Sequence, residues 1–147
     1  MDKLQKYVKS VLGKRVGNGQ CVGLFRDCTE RFLRTPVLER LGANGGAFGL
    51  FTRYDTDVGE VSRRVFERIA YQPGMLPQRG DFIIWGPTKG NQFGHVGIFL
   101  RMLPDGRMEI LDQDGLIEIR GQGQSQVKIT QWTFNNCLGW LRLRKRG

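Results

Sequence analysis

The chain has 147 residues, 39% apolar and 25% charged, with 23 Lys and Arg against 14 Asp and Glu and a formal net charge of +9. That length makes one ordinary domain with enough core to fold unaided. No apolar run approaches the roughly 20 residues of a membrane-spanning helix, and three cysteines are too few, and of the wrong parity, for a disulfide scaffold. The charge favours an anionic partner such as nucleic acid, a membrane surface or a wall polymer. Zinc-finger spacing, RNP-like aromatic motifs and basic heptads are all missing, so nucleic acid is not expected. The opening MDKLQKYVKSVLGKR lacks the apolar h-region and cleavage site of a secretory signal. Synthesis in a reducing cytoplasm, with free thiols, is the expectation.

In chain order, Leu4, Tyr7, Val8, Val11 and Leu12 recur at helical spacing, with Asp2 as cap and Gly13 as stop. A second helix is predicted from about Cys21 to before Pro36, with Cys21, Phe25, Cys28 and Phe32 on one face. LGANGGAFGLF reads as a loop. A third helix is predicted from about Val58 to Ala70, with Val58, Val61, Val65 and Ile69 as its inner stripe. From there DFIIW, HVGIFL, RMEIL, QVKIT and CLGWLRLR are short β-rich runs separated by turn signals such as PQRG, LPDG and GQGQ. Helices followed by strands predict an α+β fold, a single domain over 1–147 in which helices pack on an antiparallel sheet.

Two residues carry the chemistry. Cys21 follows the bending stretch GNGQ at the start of a helix, where unpaired N–H groups and the macrodipole favour an anion such as a thiolate. Backbone N–H groups at that turn, with Gln20 or Asn18 as side-chain donors, could hold a developing oxyanion. Cys28, mid-helix, and Cys137, beside the last strand, read as packing residues. His95 is the one histidine and opens a strand behind the approach KGNQFG. If HVGIFLRML and GRMEILDQD form a hairpin turning at PDG, His95 comes opposite Asp114, with Asp112 on the same face one pair inward. Either acid would fix the imidazole's tautomer and stabilise its charged form. Hairpin geometry alone favours Asp114. Trp85 and Phe93 are candidate walls of a substrate groove, although aromatics in such runs are more often core.

These residues carry a resemblance. GQCVGLF, LPQRGDFIIWG, FGHVGIFL, ILDQDG and the closing LGWLRLR follow in order, and at similar spacing, the pattern of CHAP domains, the cysteine, histidine-dependent amidohydrolases and peptidases. The resemblance covers nearly the whole chain. It implies a papain-like fold and cleavage of an amide bond in peptidoglycan, by amidase or endopeptidase action, as in bacteriophage endolysins. There the acidic triplet is usually Glu-Gln-Asn, so the resemblance implies Asp112 in the glutamate's place and Asp114 in the asparagine's. Several relatives bind calcium through aspartates ahead of the cysteine. Here that stretch is GKRVGNGQ, without a carboxylate, and no metal or other cofactor is expected. Many relatives carry an aspartate two positions after the cysteine, where this chain has Gly23.

The reading that follows is a monomeric endolysin made in the host cytoplasm and acting on the wall. Its basic surface would hold it near anionic wall polymers or lipid headgroups, an attraction that weakens as salt rises. A nucleic-acid-binding module and a catalytically silent phage structural protein are the alternatives.

Overall fold

A computed structural model of the chain describes residues 2–17, 19–34, 46–113 and 126–145. Helix α1 (Lys3–Val11) forms where its spacing predicts. The Asp2 carboxylate accepts a 2.6 Å bond from the Gln5 amide as N-cap, and Leu4, Tyr7 and Val11 are buried. Helix α2 (Cys21–Asp27) starts at the cysteine and runs into a π-helical turn, Cys28–Phe32. The spacing does not announce that turn, but it keeps Phe25 and Cys28 buried on one side. Beyond Arg34 the expected end near Pro36 lies outside the described residues. Of the glycine-rich loop, residues 41–45 are also outside them, while Gly49–Thr52 form a short helix, α3, rather than loop.

The third predicted helix is half right. A 3-10 turn (Asp57–Gly59) and helix α4 (Glu60–Val65) occupy its first half, and strand β1 (Phe66–Ala70) replaces the second. Strand β1 pairs antiparallel with β6 (Cys137–Leu143), from Phe66 opposite Leu143 to Ala70 opposite Gly139. Tertiary pairing overrides the helical stripe here. An extended Phe66 is completely buried on the helix side of the sheet, Ile69 packs on the other face, and β6 gains a second hydrogen-bonded neighbour.

The remaining strands are those expected: β2 (Phe82–Trp85), β3 (His95–Met102), β4 (Met108–Asp112) and β5 (Lys128–Trp132). With β1 and β6 they make one six-stranded antiparallel sheet in the order β1-β6-β2-β3-β4-β5. One face, with Phe82, Ile84, Val96, Ile98, Leu111 and Leu141, packs under Val11, Leu24, Phe25 and Leu50 of the helices. The other, with Ile83, Trp85, Phe99, Ile110 and Trp140, is covered by side chains such as Tyr71, Met75 and Phe134. Because both faces are covered, all four residues of β2 are buried and its sequence is an unbroken apolar run. Each large side chain buried this way contributes roughly 1.5–3 kcal/mol. Among the described residues no helix is long and apolar enough to cross a membrane.

Candidate active site

The site forms at one end of the sheet, where β3 begins and β4 ends. Gly94 turns the chain into β3 with φ of +72°, and a Cβ there would stand 2.4 Å from the Trp85 carbonyl oxygen, so only glycine admits the turn that delivers His95. The β3–β4 ladder sets Ile98 opposite Leu111 and Phe99 opposite Ile110, the register expected from the hairpin, with a bulge toward the turn. Extending that register puts Gly97 across from Asp112. Asp112 meets the diagonal neighbour instead, its Oδ1 2.6 Å from His95 Nε2, while Ile110 fills the space over Gly97, where a Cβ would stand 2.3 Å from its Cγ2.

Both partners are about 4% exposed at the side chain. Among the described residues neither atom has another polar partner, so each is the other's counterpart in this buried pair. The other carboxylate oxygen, Oδ2, accepts from Thr130 Oγ1 at 3.2 Å and from Trp132 Nε1 at 3.1 Å. The indole of Trp132 lies parallel to the imidazole, with centroids 4.4 Å apart and planes 13° from coplanar, and Trp85 meets the same ring at 5.6 Å. Burial by itself would push the imidazole's pKa down. The Asp112 carboxylate and the hydrogen-bonding sulfur of Cys21 outweigh it, and His95 is pushed up to about 10.

Cys21 is half-buried at the first position of α2, which packs against β3. Its loop is tied down by Gln113, the residue after Asp112. The buried Gln113 amide accepts from Val16 N–H at 2.8 Å and donates to the carbonyls of Val16 and Gln20 at 2.8 and 2.9 Å. Neighbouring residues on a strand point to opposite faces. Asp112 thus meets the histidine on one side of the sheet while Gln113 grips the cysteine's loop on the other. In a trans peptide C=O and N–H point opposite ways, so the Gln20 carbonyl held by Gln113 aims the Cys21 N–H away from it. The first-turn N–H groups have no intrahelical acceptor, and the Gln20 side chain does not cap them. Gly17, with φ of +57°, passes against the start of α2: a Cβ on it would lie 3.4 Å from the Gly23 backbone.

The other two thiols sit in different surroundings. Cys28 is sealed in the core, and burial drives its thiol well above the ordinary range; burial also raises Cys137, to about 11. Neither meets His95. Gln20 is exposed at the cysteine's loop and Phe93 is exposed, at 52%, on the approach to His95. Trp85 is a correction to the groove-wall expectation: it is 3% exposed and its Nε1 donates to the Thr133 carbonyl, so it packs beside the imidazole instead of lining an open groove. Asn18 and Asp114 lie outside the described residues. Among the described residues no group of three or more side chains is arranged to hold a metal ion.

Sequence reasoning missed Trp132, Thr130 and Gln113. Gln113 sits inside the acidic triplet and could have been singled out as the one polar residue between two acids. Trp132 could not, because the pairing of β5 with β4 crosses a long connection whose register no local pattern states.

The fold and these contacts define a class: an α+β domain with a helix-borne thiol and a strand-borne imidazole–carboxylate pair meeting at one end of an antiparallel sheet. The model of the CHAP domain matches residues 12–114, and the chain belongs to that family. No curated protein sequence matches it. Among solved structures it is similar to the wild-type endolysin LysIME-EF1, at 26% identity and a TM-score of 0.68, over 97% of this chain and 64% of that one. It also shares its fold with Ly7917, at 20% identity and a TM-score of 0.61 over 92% of this chain and 59% of that one. A second Ly7917 structure, with the hydrolyzing product of MDP, is 17% identical with a TM-score of 0.59 over 96% and 61% of the two chains. The chain therefore spans less than two thirds of the length of these structures.

Proposed function

We propose that this chain is a peptidoglycan hydrolase of the endolysin kind, cutting an amide bond of the bacterial wall peptide through a Cys21 thiolate. One observation carries the reading: a thiol at a helix start, an imidazole and a buried carboxylate converge although Cys21 and His95 are far apart in sequence. Membership of the CHAP family and the likeness to LysIME-EF1 support the substrate class.

With Nε2 engaged by Asp112, Nδ1 is the imidazole nitrogen left for the sulfur. The thiolate attacks the amide carbonyl carbon, and the oxyanion is held by the Cys21 N–H, with Gln20 beside it. As the C–N bond breaks, imidazolium gives its proton to the departing amine and an acyl thioester remains. Water then loses a proton to the neutral imidazole and attacks the thioester. The C–S bond breaks, a carboxylic acid leaves, and the thiolate–imidazolium pair is restored. No metal is needed in this sequence of steps. Asp112 keeps the ring oriented and favours its charged form.

The test is mass spectrometry of purified walls digested by the wild type and by Cys21→Ala. The wild type should generate muropeptides with a new free amine, on L-alanine for an amidase or within the peptide for an endopeptidase. An active Cys21→Ala variant would remove the thiolate from the mechanism, and walls left uncut by folded wild-type protein would remove the substrate.

A further inference from the structure

We propose that Trp132 is a positioning residue for the reaction at Cys21 and His95, its indole face supporting the charged imidazole and its Nε1–H fixing the Asp112 oxygen turned away from His95. This rests on the hydrolase reading above and adds to it a residue from β5, the edge strand beside β4.

Three observations carry the proposal. The ring planes of Trp132 and His95 are nearly parallel at 4.4 Å, so imidazolium, itself buried, lies over the electron-rich indole face, and cation–π attraction is stronger for a desolvated cation. The same indole donates through Nε1 to Asp112 Oδ2 at 3.1 Å and to Thr130 Oγ1 at 3.0 Å, and Thr130 adds a second donor to Oδ2 at 3.2 Å. With Oδ2 held by two donors, the carboxylate cannot swing away and Oδ1 faces His95, as the 2.6 Å approach records. Finally, Trp132 is only half-buried on the edge strand β5, so packing by itself would be served by any large apolar side chain. An indole offers both a ring face and an N–H donor that does not titrate, which neither Phe nor Leu does. One residue thus touches both members of the imidazole–carboxylate pair, where Trp85 touches only the imidazole.

The two functions separate by substitution. Trp132→Phe keeps a ring face and deletes the donor. Trp132→Leu deletes both. The titratable groups that face His95, among the described residues, are Asp112 from β4 and Cys21 from α2, and neither is altered. Because His95 is the only histidine, its ring resonances in NMR give a titration with no overlap, read without substrate. Loss of the stacked face weakens the imidazolium, so in Trp132→Leu the ring should titrate lower by roughly half to one and a half pH units. The alkaline limb of kcat/KM should move down with it. Trp132→Phe should leave that limb within about 0.3 pH units of wild type while kcat falls roughly three- to tenfold, with KM unchanged, because the carboxylate loses one of its two anchors.

The proposal is overturned if both variants titrate like the wild type and keep kcat within twofold, which would make Trp132 a packing residue. Should Trp132→Leu fail to fold, Trp132→Phe decides alone: unchanged kcat overturns the proposal and the predicted fall supports it. A failure of the hydrolase reading looks different. Wall cleavage would then survive alkylation of Cys21 by iodoacetamide in the wild type, while the NMR titration would still report whether the indole supports the ring.

Discussion

The sheet buries a carboxylate at each end, and the two are used in opposite ways. At the end away from Cys21, Asp81 is 2% exposed and takes a forked pair of bonds from Arg142, 3.1 and 2.8 Å long, and a third from the Gln78 amide. At the other end Asp112, 3% exposed, faces His95 through one oxygen and is tied to Thr130 and Trp132 through the other. A guanidinium keeps its charge at every relevant pH and matches the carboxylate fork, so the Asp81 pair is a permanent clasp between the entry to β2 and the end of β6. An imidazole can lose its charge, so the Asp112 pair can change state during a reaction. Burial makes a carboxylate consequential, and its partner decides whether the consequence is stability or chemistry. Volume is no guide to which: a recess of about 760 Å³ opens at the Asp81 end, lined in part by Asp81, Arg142 and Phe82, and neither Cys21 nor His95 borders it.

Substitutions at the two ends should therefore fail differently. The largest effect is expected from Cys21→Ala, which should cut wall hydrolysis by at least about 10⁴-fold, to background, in a protein that still unfolds cooperatively; turbidity and calorimetry together check it. Cys28→Ala should do the reverse, leaving kcat intact and costing about 1–2 kcal/mol in urea unfolding, because it removes only buried packing. Asp112→Asn comes next, lowering kcat roughly 10²- to 10³-fold with KM little changed. It should also flatten the pH dependence of stability. His95's pKa is raised in the folded protein, so its contribution is complete below about 6.5, the unfolded value, and is lost as pH rises to about 10. Chemical denaturation of wild type and variant across that window tests the sign.

At the far end Arg142→Met leaves a buried carboxylate without its cation and should cost about 3 kcal/mol of stability, while kcat per folded molecule stays at the wild-type value. A fall in kcat beyond twofold would show that the two ends are coupled. Gln113→Leu acts on the cysteine's loop itself: it leaves the Val16 N–H without its acceptor and removes the side-chain bonds to the Val16 and Gln20 carbonyls, which keep their backbone donors Gly19 and Leu24. It should cost about 2 kcal/mol and slow the alkylation of Cys21, read by mass spectrometry, severalfold.

Most of the scaffold was legible before any coordinates. The cap and stripe of α1, the opening of α2 at Cys21 and the strands β2 to β6 all follow from patterns a few residues long. The hairpin linking β3 to β4 is local too, so its register could be counted from the PDG turn, and that count put Asp112 on the histidine's face. What was misread was non-local. Phe66–Ala70 carries a helical stripe yet becomes a strand because β6, some 70 positions later, offers it an edge. Between the two acids, hairpin geometry alone slightly preferred Asp114, which lies outside the described residues, while the resemblance put Asp112 in the glutamate's place. The contact observed is the diagonal one, from Asp112 to His95.

The sequence by itself determined the class of fold, the places of Cys21 and His95 at a helix start and a strand start, and the acid's side of the sheet, since helix starts, strand alternation and short turns are written in neighbouring residues. Only the tertiary structure decided which groups steady them. Trp132 reaches His95 and Asp112 across strands joined by a long connection, and Gln113 reaches the Cys21 loop from 93 positions away. Such contacts are set by the packing of whole elements, where the free energy of burial outweighs the preference of any local stretch.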